Sequence, residues 1–184
     1  MPKNTYKKPH NTGKNQIIYG LHAVTAALLN DKRKHSELLI TKNHQKLVNN
    51  YKSKIQKITL LNQKEFQKMY GSEKSTQGIV LRTNDFERPS LQQFLKNENL
   101  NDRSVLLALD QITDPQNIGS IMRSCALFNC RGIIVAKDNA PELTPSLYKA
   151  ASGAAEIVNY FKVTNLKRSI SELKKIGYWA YGFD

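Results

Sequence analysis

The sequence predicts an α/β protein built as two units, a small basic N-terminal one and a second one holding a parallel sheet. Three observations carry this expectation. Apolar residues from position 16 onward fall alternately at helical spacing and in short strand-like runs. A polar stretch at 83–102, with Pro89 and four acidic residues, divides two such series. The second series opens on Val105-Leu106-Leu107-Ala108-Leu109-Asp110, a continuous apolar run of the sort found in a parallel strand covered on both faces.

Residues 1–15 are polar and basic, with Pro2, Pro9 and Gly13 and no period that could build a core, and they read as a flexible basic tail. The N-terminal unit spans 16–82. Leu21, Val24, Leu28 and Leu29 mark an amphipathic helix after Ile17-Ile18-Tyr19-Gly20. Glu37–Ile40 reads as a strand, Gln45–Lys57 as a helix with Leu47, Val48, Tyr51 and Ile55 inward, and Ile58–Leu61 as a strand. A short helix at Asn62–Met69 and a strand at Gln77–Leu81 close the unit. The linker 83–102 holds one helical piece at Leu91, Phe94 and Leu95. In the second unit, 103–184, a loop at 111–116 follows the first strand, and Ile118, Ile121, Met122, Cys125, Ala126 and Phe128 give a helix over Asn117–Asn129. Ile133–Ala136 is a buried strand, Pro145–Gly153 a helix, Glu156–Val163 a strand, Leu166–Lys175 a helix ended by Gly177, and Tyr178–Phe183 a fourth strand. Strand-helix alternation of this kind implies a parallel sheet with right-handed crossovers.

Composition narrows the function. A chain of 184 residues with 40% hydrophobic residues and a mean hydropathy of −0.53 suits a soluble globular protein. No apolar run approaches the roughly 18 residues of a spanning helix, and no apolar signal core follows the N-terminal lysines, so a cytoplasmic location with no membrane partner is expected. Cys125 and Cys130 stand five apart, too far for a shared helix face and without His at metal spacing, so free thiols and no metal site are expected. The net charge of +13 is uneven: residues 1–82 carry sixteen Lys/Arg against four Asp/Glu, residues 83–102 two against four, and residues 103–184 ten against seven. A surplus of +12 in the first segment self-repels unless an anionic partner neutralises it. Nucleic acid is the favoured partner and an anionic membrane surface the weaker one, with Lys3, Lys7, Lys8 and Lys14 of the tail as candidate phosphate contacts.

The densest constellation runs from Asp110 to Arg123. Asp114-Pro115 fixes a tight loop after a strand, Asn117 can cap the following helix or face the sheet's binding edge, and Gly119 permits a close approach by backbone or ligand. Arg123 lies about one and a half turns further on, so Asn117 and Arg123 can both address a phosphate or ribose over the helix N-terminus.

Asp114-Pro-x-Asn117-x-Gly119-x-x-x-Arg123 after a buried strand resembles the first motif of the SpoU (TrmH) family of RNA 2′-O-ribose methyltransferases in the SPOUT superfamily. Lys149-Ala-Ala-Ser-Gly-Ala-Ala-Glu156 resembles the family's Ser-x-Gly-Ala segment. Ile18–Val24 and Thr76–Ile79 resemble the start and end of its substrate-binding domain. The layout is closest to members that methylate a guanosine ribose in large-subunit rRNA. The resemblance implies a SPOUT-type fold, S-adenosylmethionine (AdoMet) as methyl donor, RNA, above all rRNA, as partner, a homodimer, and an active site holding Asn117 and Arg123. Arg123 would then also touch RNA. The family's later motifs, a Gly-x-Glu loop, an Ile-Pro segment and a Ser-Leu-Asn-rich knot, do not occur after residue 156. The second unit is therefore expected to stop before the knot, with the donor site in the segment beyond. A non-catalytic RNA-binding descendant is the alternative function. A dinucleotide-binding domain is disfavoured because no Gly-x-Gly-x-x-Gly follows Asp110.

Overall fold

The computed structural model describes residues 16–71, 76–85, 87–97, 104–138 and 140–183. The N-terminal lobe runs β1 (Gln16–Tyr19), α1 (Leu21–Leu29), β2 (His35–Ile40), α2 (Gln45–Tyr51), β3 (Ile55–Leu60), α3 (Gln63–Tyr70) and β4 (Ile79–Thr83). Its sheet has the order β1-β4-β2-β3, with only β2 and β3 parallel. Alternation along β2 splits the lobe's core: Leu38 and Ile40 meet Ala23, Val24, Ala27 and Leu28 of α1, while Leu39 faces Phe66 of α3. Asn62 and Glu65 form a reciprocal capping box that starts α3. The expected helix over 45–57 stops at Tyr51, because Ile55 pairs with His35 and so opens β3. β1 has no counterpart in the sequence reading: four residues ahead of a helix signal a strand only through their pairing with Val80–Thr83.

The C-terminal lobe follows the helix α4 (Leu91–Asn97) and comprises β5 (Leu106–Leu109), α5 (Pro115–Leu127), β6 (Gly132–Ala136), α6 (Pro145–Ala151), β7 (Asn159–Val163) and α7 (Leu166–Lys175). The sheet β5-β6-β7 is parallel. Helices α5 and α6 pack on the face bearing Ile133, Val135 and Tyr160, and α4 and α7 on the face bearing Ile134, Phe161 and Val163. The fold class is the expected one, with two differences. β5 lies at the sheet edge and is only half covered, so its apolar run marks a strand without full burial. Tyr178–Phe183 forms no strand: an extended segment becomes one only by pairing, and these residues have no ladder partner among the described residues. Tyr178 donates its hydroxyl to Ser104 Oγ at 3.0 Å, but Trp179, Tyr181 and Phe183 are 84%, 78% and 93% exposed. No helix among the described residues is long and apolar enough to cross a membrane.

The lobes share one apolar core, in which Ile18, Val24 and Leu28 cluster with Ile118, Met122, Leu147 and Ala151. At its edge sits Arg33, between α1 and β2, with a fully buried side chain. Its guanidinium donates to both carboxylate oxygens of Glu156 (2.9 and 2.8 Å), to the Gln16 side chain and Asn84 carbonyl, and to the Tyr148 hydroxyl at 3.1 Å. Asn30 adds a 2.6 Å donation to Glu156, and Arg88 binds the Tyr148 hydroxyl and the Ala155 carbonyl. Glu156 belongs to a 3-10 turn, Ala154–Glu156, rather than opening β7. Its side chain is only 4% exposed. A fixed fork on a carboxylate, with the remaining donors satisfied, is the geometry in which a buried ion pair survives desolvation.

Two stability predictions follow from this packing. Glu156→Gln leaves the Arg33 charge buried without a counter-charge, and should cost about 3–5 kcal/mol in urea unfolding; a loss under about 1 kcal/mol would mean that water reaches the cluster. Gly119 lies on α5 where a Cβ would come 2.5 Å from Ala150 Cβ and 2.8 Å from the Ala151 nitrogen. Gly119→Ala should therefore force α5 from α6 and cost about 1–3 kcal/mol, despite the better helix propensity of alanine.

Candidate active site

The loop from Asp110 leaves the carboxyl end of β5, and Asp114 starts α5 by accepting the Gln116 N–H at 2.9 Å. Pro115 occupies the first turn, where its fixed φ suits the helix and its missing N–H costs nothing. With Asp114 as the cap, Asn117 is released from that role. Ile118, Gly119, Met122 and Cys125 form the buried face of α5. Gln116, Asn117, Ser120, Arg123 and Ser124 lie exposed on the other. The side chains of Asn117 and Arg123 make no hydrogen bond or ion pair with the described residues. Six residues of helix separate them by about 9 Å along the axis, with Ser120 midway. A neutral amide and a planar cation thus stand uncommitted on one helix, beyond the carboxyl end of a parallel strand. Ligands of open α/β sheets bind at such a place.

Helix α6 supplies the neighbouring surface. It is capped by Thr144, whose hydroxyl accepts the Leu147 N–H, and packs on α5 through Ala150 and Ala151 against Gly119. Lys149, beside Ala150, lies against Gly20, where a Cβ would sit 3.2 Å from Lys149 Cγ. The Leu21 N–H donates to Gln77 Oε1 at 2.8 Å, and the Gln77 carbonyl lies 2.6 Å from His44 Nε2. After α6 the chain turns through Ser152 and Gly153, both left-handed, and Gly153 approaches α1 so closely that a Cβ would stand 2.8 Å from Ala26 Cβ. The Ser152-Gly153-Ala154 turn thereby docks one lobe on the other, with Glu156 at the end of the segment.

The structure brings Asn117 and Arg123 onto one exposed face. Lys3, Lys7, Lys8 and Lys14 lie outside the described residues. Sequence reasoning did not single out Ser120, although its spacing of three from Asn117 and from Arg123 marks the same stripe. It also passed over Lys149 and Arg33. Lys149 stands in the quoted Lys-Ala-Ala-Ser-Gly string, so a signal existed, whereas Arg33 and Glu156 are 123 positions apart and carry no local sign of pairing. Among the described residues no cluster of three or more His, Cys, Asp or Glu could hold a metal ion.

Comparison with known proteins bears on this arrangement. The SpoU rRNA Methylase family model matches residues 104–184, and the model for RNA 2′-O ribose methyltransferase substrate binding matches 17–89. A 23S rRNA (guanosine-2′-O-)-methyltransferase RlmB of Nitrosomonas europaea is 32% identical over 173 residues, covering 91% of this chain and 65% of the relative. Its counterpart in Coxiella burnetii is 35% identical, covering 90% and 68%. The chain thus spans about two thirds of the length of these curated relatives. Among solved structures, the SpoU methyltransferase AviRb of Streptomyces viridochromogenes in complex with AdoMet superposes with a TM-score of 0.66 at 15% identity, over 89% of this chain and 60% of that one. A structure described as an RNA 2′-O ribose methyltransferase gives a TM-score of 0.68 at 14% identity, which shows a shared fold. With both family models matched in order and relatives above 30% identity across nine tenths of its length, the chain belongs to the SpoU family of RNA 2′-O-ribose methyltransferases.

Proposed function

We propose that this chain provides the RNA-holding lobe and the ribose-facing helix of a cytoplasmic enzyme that methylates the 2′-hydroxyl of a guanosine ribose in 23S rRNA, with AdoMet as donor. The observation that carries the reading is the pair of uncommitted polar side chains, Asn117 and Arg123, on α5 beyond β5. Relatives named for that reaction support it, as does the excess charge of the first segment. The roles proposed for this chain's own residues concern the acceptor RNA.

An arginine keeps its proton in proteins, so Arg123 serves best as a planar fork that holds the phosphate next to the target ribose, with the Asn117 amide orienting the ribose. Lys149 and the N-terminal lysines add sequence-independent attraction for the phosphate backbone. The domain assignment follows the same lines: 1–15 as basic tail, 16–82 as RNA-binding unit, 83–102 as linker and 103–184 as the methyltransferase part.

Arg123 tests the site in this chain extended by the C-terminal third of a curated relative. Arg123→Ala should shift stability by no more than about 0.5 kcal/mol, as at ordinary exposed positions. It should lower labelled-methyl incorporation into rRNA on the order of a hundredfold, the scale of losing one positioning contact. Arg123→Lys keeps the charge and loses the fork, and should recover only a small part of the rate. Near-full activity of the Ala variant would remove Arg123 from the active site. For the tail, RNA affinity should weaken steeply with salt, and replacing Lys3, Lys7, Lys8 and Lys14 by Ala should reduce the slope of log K on log salt by up to about 3. Anisotropy titrations of a labelled rRNA fragment at several salt concentrations measure this, and an unchanged slope would exclude the tail from the interface.

A further inference from the structure

The C-terminal end of α5 brings together two groups that the function above does not use. The helix ends at Leu127 with Phe128 as its cap, and Asn129 follows in the left-handed conformation at φ 54°. The Asn129 N–H bonds back to the Ala126 carbonyl at 3.4 Å, and the Cys130 N–H to the Cys125 carbonyl at 2.8 Å. These are the paired bonds of a Schellman motif, in which the residue two beyond the cap folds back onto the residue three before it. In this chain both of those residues are cysteines. The five-residue separation, which on a continuing helix would part the side chains, here brings them together.

Burial distinguishes the two thiols. Cys125 is 2% exposed and belongs to the main core, while Cys130 is half-buried and packs against the same cluster from the rim. Burial first, and the electrostatic influence of the neighbouring Cys130 second, push the Cys125 thiol up to about 12. The direct backbone bond between Cys130 and Cys125 holds the two residues side by side at the helix end.

We propose that Cys125 and Cys130 form a reversible oxidation site, in which a hydroperoxide converts the two free thiols into a disulfide across the C-terminal cap of α5. Cys130, at the rim, attacks as thiolate: the O–O bond of the peroxide breaks, Cys130 sulfur is oxidised to sulfenic acid, and the other oxygen leaves as alcohol or water. The Cys125 sulfur then displaces the sulfenic hydroxyl, the S–S bond forms, and that hydroxyl leaves as water with the Cys125 proton. Two thiols and one hydroperoxide thus give one disulfide, one alcohol and one water. The modification falls on the helix that presents Asn117 and Arg123, yet its chemistry is independent of the function proposed for them.

Peptide mass spectrometry decides the matter on the unmodified full chain. Trypsin cuts after Arg123 and Arg131, releasing both cysteines on one peptide, Ser124–Arg131. After hydrogen peroxide treatment of the folded protein and quenching with N-ethylmaleimide, that peptide should be lighter by two hydrogens and carry no maleimide. Dithiothreitol should restore two alkylatable thiols. Cys125→Ala should let the Cys130 sulfenic acid accumulate and be trapped by dimedone. Cys130→Ala should slow oxidation of Cys125 by at least about tenfold, since only the rim thiol is open to peroxide. A wild-type peptide that takes two maleimides, or that goes to sulfinic and sulfonic acids without the disulfide, would overturn the proposal. Equal oxidation of Cys125 with and without Cys130 would overturn the assigned order of attack.

Discussion

The buried fork of Arg33 on Glu156 is the constraint on which the arrangement of this molecule depends. A guanidinium with no exposure cannot be left unpaired, and its donors can all be satisfied only if Glu156, Tyr148, Gln16 and the Asn84 carbonyl converge on it at once. Gln16 and Asn84 come from the ends of the N-terminal lobe, whereas Tyr148 and Glu156 come from α6 and the turn behind it. Satisfying one side chain therefore sets the rotation of one lobe against the other. The apolar core between the lobes supplies most of the stabilisation, but apolar contact is non-directional and would tolerate sliding that the ion pair does not.

From that fixed point the contacts lead to the site through helices. Glu156 holds the turn that ends α6, and α6 meets α5 at Gly119, where the absence of a side chain lets the two helices touch backbone to side chain. Helix α5 in turn carries Asn117 and Arg123. A residue such as Arg123 can be left uncommitted because the rest of the helix is over-determined: Asp114 and Pro115 at its start, the buried side chains of Ile118, Met122 and Cys125 along its inner face, and the Schellman bonds at its end. If Arg123 holds RNA as proposed, preorganisation of this kind would place the fork before RNA arrives, so less conformational entropy would be lost on binding.

Charge acts over a longer range than these contacts. In the proposed function, the concentration of lysine in the first eighty-two residues would draw the phosphate backbone toward the N-terminal lobe without specifying a base, while the α5 stripe would address a single ribose and its phosphate. The two demands suit different lobes, because attraction benefits from many mobile cations and positioning from one rigid pair. The interlobe fork couples the two.

Much of the architecture was legible in the sequence. The 3.6-residue periods placed α1, α3, α5 and α7 to within about two residues, and the apolar runs located β5 and β6. These features are local, decided by side-chain spacing and turn chemistry over a dozen residues. What escaped is non-local. The pairing of β1 with β4, the conversion of the end of a supposed helix into β3, and the unpaired course of Tyr178–Phe183 all turn on whether a partner strand lies alongside. The partnership of Arg33 with Glu156 spans 123 positions, and the meeting of Cys125 with Cys130 depends on a single left-handed residue between them. Sequence by itself determined which residues are apolar, charged or conformationally restricted, since those are properties of each side chain. Only the tertiary structure decided which charges are buried and which strands pair, because burial and pairing are relations between distant segments that form when the lobes close on one another.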